Sequence, residues 1–136
     1  MDKEIILKLV EEAMKMADSN FCCNHCDFTV GASLVTENGK VYKAFNVQND
    51  GILSICAERA AFIKALTEGH KKFKCIVITG KKVGGKFIKT VPCGYCRQFM
   101  NEYATPDFKI YTYDENEKKI YSYTLEELLP ERFEYK

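Results

Sequence analysis

Cys75-Ile76-Val77-Ile78-Thr79 is a short, unbroken apolar run. Its length, its β-branched content and its lack of polar alternation predict a strand covered on both faces. A strand hidden on both sides needs helices above and below it, so the surrounding chain should supply them. On the N-terminal side, Cys56 to Leu66 carries helical spacing in Ala57, Ala60, Ala61 and Ala65, with Gly69 as a stop. On the C-terminal side, Cys93 to Tyr103 reads as a helix entered through Pro92. Phe108 to Tyr113 and Lys119 to Tyr123 are aromatic-rich runs joined by Asp114-Glu115-Asn116-Glu117-Lys118; five polar residues cannot hold a crossover helix, so these runs should pair antiparallel. Further upstream, Phe28 to Val35 and Lys40 to Asn46 flank an Asn38-Gly39 turn signal and should form another hairpin. Asp2 can cap a first helix with Ile5, Ile6, Leu9, Val10, Ala13 and Met16 on one stripe, and Thr124-Leu125-Glu126-Glu127 is a capping box for a brief last helix that Pro130 ends. The expected architecture is α/β: a three-layer α/β/α sandwich around a mixed five-stranded sheet.

With 136 residues, 46% hydrophobic and 29% charged, the chain has the size and composition of one globular domain spanning 1–136, neither disordered nor fibrous. A net charge of +1 gives no pull toward nucleic acid or an anionic membrane. No apolar run approaches the roughly 20 residues of a transmembrane helix, and Met1-Asp2-Lys3-Glu4 lacks the layout of a signal peptide, so a cytoplasmic location is expected. Seven cysteines in a reducing compartment read as thiols or metal ligands rather than a disulfide frame.

Three of those cysteines stand where thiolates are favoured. Cys56 opens one expected helix in Cys56-Ala57-Glu58-Arg59, and Cys93 and Cys96 open another in Pro92-Cys93-Gly94-Tyr95-Cys96-Arg97-Gln98. Unpaired N–H groups and the positive dipole end of a helix lower a thiol's pKa. Three thiolates can hold one Zn2+ and leave a fourth tetrahedral position open, which is what distinguishes a catalytic zinc from a structural one. Their excess negative charge calls for hydrogen-bond donors, and Arg59 and Arg97 are adjacent candidates. Glu58 is the candidate for moving the water's proton to a substrate.

These two segments resemble the cytidine deaminase family, whose three-cysteine zinc signature includes a glutamate that is not a ligand. Further matches are Phe28-Thr29-Val30-Gly31-Ala32, Asn46-Val47-Gln48-Asn49, Ala65-Leu66-Thr67-Glu68-Gly69-His70 and Leu125-Glu126-Glu127-Leu128-Leu129-Pro130. The resemblance implies a cytidine-deaminase-like fold with one zinc per subunit. It also implies hydrolysis of the 4-amino group of cytidine or 2'-deoxycytidine, as in pyrimidine salvage, with Glu58 carrying the proton to N3 and then to the leaving amine. By motif position Phe28 would pack on the pyrimidine, Asn46 and Gln48 would meet the sugar, and the Ala57 backbone would touch the amino group. The family's small members are homotetramers with sites at subunit interfaces, where a C-terminal Phe reaches a neighbour's site; Phe133 occupies that place. An antiparallel hairpin at 108–123 matches the branch acting on free nucleosides, since polynucleotide deaminases place a helix between the corresponding strands.

Two departures bear on the substrate. Gln48 stands where the nucleoside enzymes of the family carry a glutamate, and the stretch 49–55 is shorter than usual and lacks the Tyr that lines the site. Blasticidin S deaminases share the motifs and also lack that glutamate, so blasticidin S or another modified aminopyrimidine nucleoside is the alternative substrate. From a different class, a non-catalytic zinc-binding interaction module remains. Cys22, Cys23, His25 and Cys26 read as loop residues near the site mouth; a CxxC…CxxC site with Cys93 and Cys96 would leave Cys56-Ala57-Glu58 unexplained. Gly80-Lys81-Lys82-Val83-Gly84-Gly85-Lys86 approaches a P-loop, but Phe87 replaces the hydroxyl residue and no helix follows, so a flexible basic loop is expected.

Overall fold

The computed structural model describes residues 1–22 and 27–134. Element order is α1 (Lys3–Asp18), β1 (Phe28–Thr36), β2 (Val41–Phe45), a 3-10 turn at Gly51–Leu53, α2 (Ala57–Thr67), β3 (Phe73–Lys82), α3 (Gly94–Tyr103), β4 (Lys109–Asp114), β5 (Lys119–Thr124) and α4 (Leu125–Leu128). One five-stranded sheet runs β2-β1-β3-β4-β5. β3 pairs antiparallel with β1 and parallel with β4, while β1/β2 and β4/β5 are antiparallel hairpins.

The central strand explains the layers. Successive side chains of a strand point to opposite faces, so Ile76 and Ile78 pack with Ala61, Phe62 and Met100 of α2 and α3, whereas Cys75 and Val77 pack with Leu9, Val10 and Ala13 of α1. Ile76, Val77 and Ile78 are all fully buried, as a doubly covered strand requires. The parallel step from β3 to β4 is bridged by α3, since parallel neighbours need a crossover. The hairpin β4/β5 pairs Asp114 with Lys119 at its turn, the antiparallel arrangement expected from the short polar link.

Two features differ from the sequence expectation. The buried stripe of α1 is Ile6, Leu9, Val10, Ala13 and Ala17, with Ile5 51% exposed, because the helix rotates to bring Ala13 and Ala17 against β1. A Cβ on Gly31 would lie 1.9 Å from the Ala13 carbonyl oxygen, so only glycine permits that approach. β3 continues through Gly80, Lys81 and Lys82, paired with Val30, Thr29 and Phe28, so the expected basic loop begins only at Val83. Lys81 is ion-paired with Asp18 and lies 4.8 Å from the Phe87 ring centroid, which neutralises and packs what the sequence presents as a free charge. Among the described residues no helix is long and apolar enough to cross a membrane.

Capping follows local chemistry. Asp2 accepts from Glu4 N, and Thr124 and Glu127 form a reciprocal capping box at α4. Gly69, with φ +93°, ends α2 in the left-handed conformation that glycine tolerates best.

Candidate active site

Two helix starts meet at the site. Cys56 is the N-cap of α2 and Cys93 the N-cap of α3, with Cys96 in the first turn of α3. Their Sγ atoms all lie within 4.8 Å of one another, and Cys56 Sγ and Cys93 Sγ are 3.9 Å apart. A tetrahedron with zinc–sulfur bonds of about 2.3 Å has an edge of about 3.8 Å, so three sulfurs at this spacing fit a zinc ion. Soft thiolate donors select zinc among divalent ions of ordinary availability. Cys96 is buried, Cys56 half-buried and Cys93 exposed, which leaves one side of the trio accessible.

The thiols are electrostatically unequal. Donation from the Cys96 thiol, helped by Arg59 and Cys93 and opposed by burial, lowers Cys56 to about 5. Cys96 is held far above the ordinary thiol range by that same bond, then by burial and by the Glu58 carboxylate. Arg59 Nη2 donates to Cys56 Sγ at 3.8 Å and to the Ser54 carbonyl at 3.3 Å, while its guanidinium lies 4.2 Å from the Tyr95 ring centroid. Arg59 Nε is buried with no hydrogen-bond partner among the described residues. Arg97 is placed differently from the sequence expectation of a sulfur contact. Its Nε donates to Pro92 O at 2.7 Å and its Nη1 to Leu128 O at 2.8 Å, so it braces the start of α3 against the end of α4. The cause is local: Arg97 lies in the first turns of α3, within reach of the Pro92 carbonyl just before the helix.

Glu58, in the first turn of α2, is only 5% exposed. Burial raises its carboxyl pKa to about 7; its own backbone N–H and Arg59 oppose the shift, and the Cys56 charge adds to it. A carboxyl poised near neutrality beside a metal-binding trio can both accept and return a proton.

A cavity of about 270 Å³ adjoins the sulfurs, lined by Cys56, Ala57, Glu58 and Cys93 at one end and by Phe28, Asn46 and Gln48 among others. Glu58 supplies the only carboxyl group among its described lining residues. Val30, Ser54, Ile55, Thr90 and Val91 complete it and were not singled out from sequence. The extended stretch before Pro92 was the available signal for Thr90 and Val91. Gly80 supports the cavity from behind, since a Cβ there would lie 2.6 Å from Thr90 Oγ1 and 2.7 Å from Phe28 Cε2. A larger cleft of about 530 Å³ lies at Glu37, Gly69 and Lys72, at the opposite end of α2 from the sulfurs and without a metal-binding trio among the described residues.

Asn46 is held by backbone: its Oδ1 accepts from Val30 N at 2.8 Å and its Nδ2 donates to Phe28 O at 3.3 Å. Among the described residues the Gln48 side chain donates a single, long bond, to Asn49 O at 3.4 Å. Phe133 lies away from this cavity, 67% exposed, with its carbonyl accepting from Gln98 Nε2 and Asn101 Nδ2. Cys22 is half-buried and outside the sulfur trio; Cys23, His25 and Cys26 lie outside the described residues.

A family model described as "Cytidine and deoxycytidylate deaminase zinc-binding region" matches residues 3–112. A probable cytidine deaminase of Dictyostelium discoideum is 39% identical over 111 residues, covering 81% of this chain and 71% of the relative. A cytidine deaminase of Halalkalibacterium halodurans is 33% identical over 134 residues, covering 98% and 95%. The crystal structure of a cytidine deaminase from Burkholderia pseudomallei superposes with a TM-score of 0.80 at 30% identity, covering 98% of this chain and all of that one.

Proposed function

Since this chain belongs to the cytidine and deoxycytidylate deaminase family, we propose that it catalyses zinc-dependent hydrolytic deamination of cytidine and 2'-deoxycytidine, giving the uracil nucleoside and ammonia. The observation that carries the reading is the meeting of Cys56, Cys93 and Cys96 beside a buried, near-neutral Glu58 in a cavity of small-molecule size. A zinc ion held by the three sulfurs supplies Lewis-acid activation of a water molecule.

The chain's own groups do the rest. Glu58 takes one proton from the water, delivers it to N3 of the pyrimidine as the water oxygen bonds to C4, and then takes the remaining proton from the C4 hydroxyl and passes it to the departing amine. The C4–N4 bond breaks and ammonia leaves, so the water's oxygen and both its hydrogens are accounted for. Phe28 packs on the ring, the Ala57 backbone meets the 4-amino group, and Asn46 and Gln48 engage the sugar. Arg59 draws charge from Cys56, while Arg97 holds the α3 start in place.

By analogy with the family's small members, the working unit is a cytoplasmic homotetramer of single-domain subunits serving pyrimidine salvage, with Phe133 completing a neighbour's site. Free nucleosides are the substrates and neither nucleic acid nor membrane is a partner. Purified protein incubated with cytidine should show the absorbance shift to uridine, with one zinc per subunit by elemental analysis. Gln48, an amide where a carboxylate is usual, makes blasticidin S a necessary member of the substrate panel. Zinc-loaded protein inactive on cytidine, deoxycytidine and blasticidin S alike would return the interaction-module reading.

A further inference from the structure

The sugar end of the cavity contains a side-chain network whose origin lies outside the family motifs. Asn20, just beyond the end of α1, donates from Nδ2 to Asn46 Oδ1 at 2.8 Å, to Asn46 O at 2.9 Å and to Thr29 Oγ1 at 3.2 Å. Neither amide can be turned over. Cys22 N donates to Asn20 Oδ1 at 3.0 Å, and Val30 N donates to Asn46 Oδ1 at 2.8 Å; a backbone N–H can only donate, so both oxygens must face where they do. Thr29 is committed as well, because its hydroxyl donates to Ala17 O at 2.8 Å and thereby offers lone pairs to Asn20.

The hydrogen-bond inventory of Asn46 then closes. Both lone pairs of Oδ1 are occupied by Val30 N and Asn20 Nδ2, and one Nδ2 hydrogen is on Phe28 O. The other Nδ2 hydrogen has no acceptor among the described residues, and Asn46 lines the cavity. Asn46 can therefore offer a ligand one donor and no acceptor. Gln48, with its side-chain oxygen uncommitted among the described residues, can supply the complementary acceptor. A hydroxyl, which both accepts and donates, satisfies the two amides together; a hydrogen in its place leaves both unpaired.

We propose that Asn20 is a positioning residue for sugar recognition: it fills the lone pair of Asn46 Oδ1 that Val30 N leaves open, restricts Asn46 to donating toward a ligand, and so makes the site select nucleosides bearing a 2'- or 3'-hydroxyl. This rests on the deaminase reading above. It ties the end of α1, far from the sulfurs in sequence, to substrate choice.

The test compares kcat/KM for cytidine with that for 2',3'-dideoxycytidine, which lacks the 2'- and 3'-hydroxyls and keeps the 5'-hydroxyl, on zinc-loaded protein with metal content and melting temperature measured in parallel. In Asn20→Ala the value for cytidine should fall about tenfold, mainly through KM, while that for the dideoxynucleoside changes less than about twofold. In an Asn46→Ala background the Asn20→Ala change should add no further loss, because its effect passes through Asn46. Asn20→Asp is the second variant: it keeps an acceptor for Cys22 N but cannot donate to Asn46, and it should collapse the substrate ratio in the same way. Equal loss on both substrates, no loss on either, or failure of both variants to fold would each overturn the inference in favour of a purely structural Asn20. Wild-type protein that turns over neither nucleoside would instead overturn the deaminase reading, and this inference with it.

Discussion

Cys56 Sγ and Cys93 Sγ stand 3.9 Å apart although the two residues are 37 positions apart along the chain. Each caps a different helix, so the metal site is a joint between α2 and α3 rather than a property of either. Removing one sulfur therefore loosens two elements at once. Cys56→Ala should lose its zinc and melt roughly 5–15 °C lower, because metal binding and folding are linked. Full zinc occupancy in this variant by elemental analysis would contradict the site.

Glu58→Gln keeps the volume of the side chain and removes its proton transfer. It should retain one zinc per subunit and the wild-type far-UV circular dichroism spectrum, while kcat on cytidine falls by about 10³-fold or more. Activity near wild type would show that another group carries the proton.

The raised pKa of Glu58 also predicts how the metal-free protein responds to pH. Its carboxyl titrates at about 7 when folded, against the ordinary value of 4.5 that it takes when the chain unfolds into water. Between those values the folded state holds a proton that the unfolded state has released, so stability present below pH 4.5 is lost as pH rises toward 7. The full difference is on the order of 3 kcal/mol for a shift of this size. Urea unfolding of chelator-treated wild type and Glu58→Gln at several pH values measures it: the wild-type curve should fall relative to the variant across that window, and parallel curves would refute the assigned shift.

Gly80→Ala places a methyl group against Thr90 Oγ1 and Phe28 Cε2, both on residues that line the cavity. The ring and the Thr90 segment must shift while the sulfurs, on other elements, stay put. KM for cytidine should rise about tenfold or more with zinc content unchanged. Loss of zinc together with the KM change would mean that the disturbance spreads to the metal site.

Element types were largely legible because they depend on neighbours within a few residues. The Asn38-Gly39 turn, the Thr124 capping box and the short polar link at 114–118 each act locally, and each produced the expected element. Boundaries were less legible. β3 outruns its apolar core because Gly80, Lys81 and Lys82 gain strand partners in β1, a benefit that no local pattern announces. The α1 stripe turned away from Ile5 for a similar reason: Gly31 lets Ala13 approach, and the contact sets the helix's rotation.

What the amino-acid sequence determined by itself was the chemistry available: three thiols at two expected helix starts, a carboxyl beside one of them, and amides at the end of a strand. Those depend on residue identity and short-range spacing. Only the tertiary structure decided which groups meet and in what state. Strand register and helix packing bring the sulfurs within 4.8 Å, bury Glu58 enough to move its proton affinity toward neutrality, turn Arg59 rather than Arg97 to a sulfur, and set Asn20 against Asn46. Distances between residues remote in the chain, and the loss of water around them, arise only once the layers have closed.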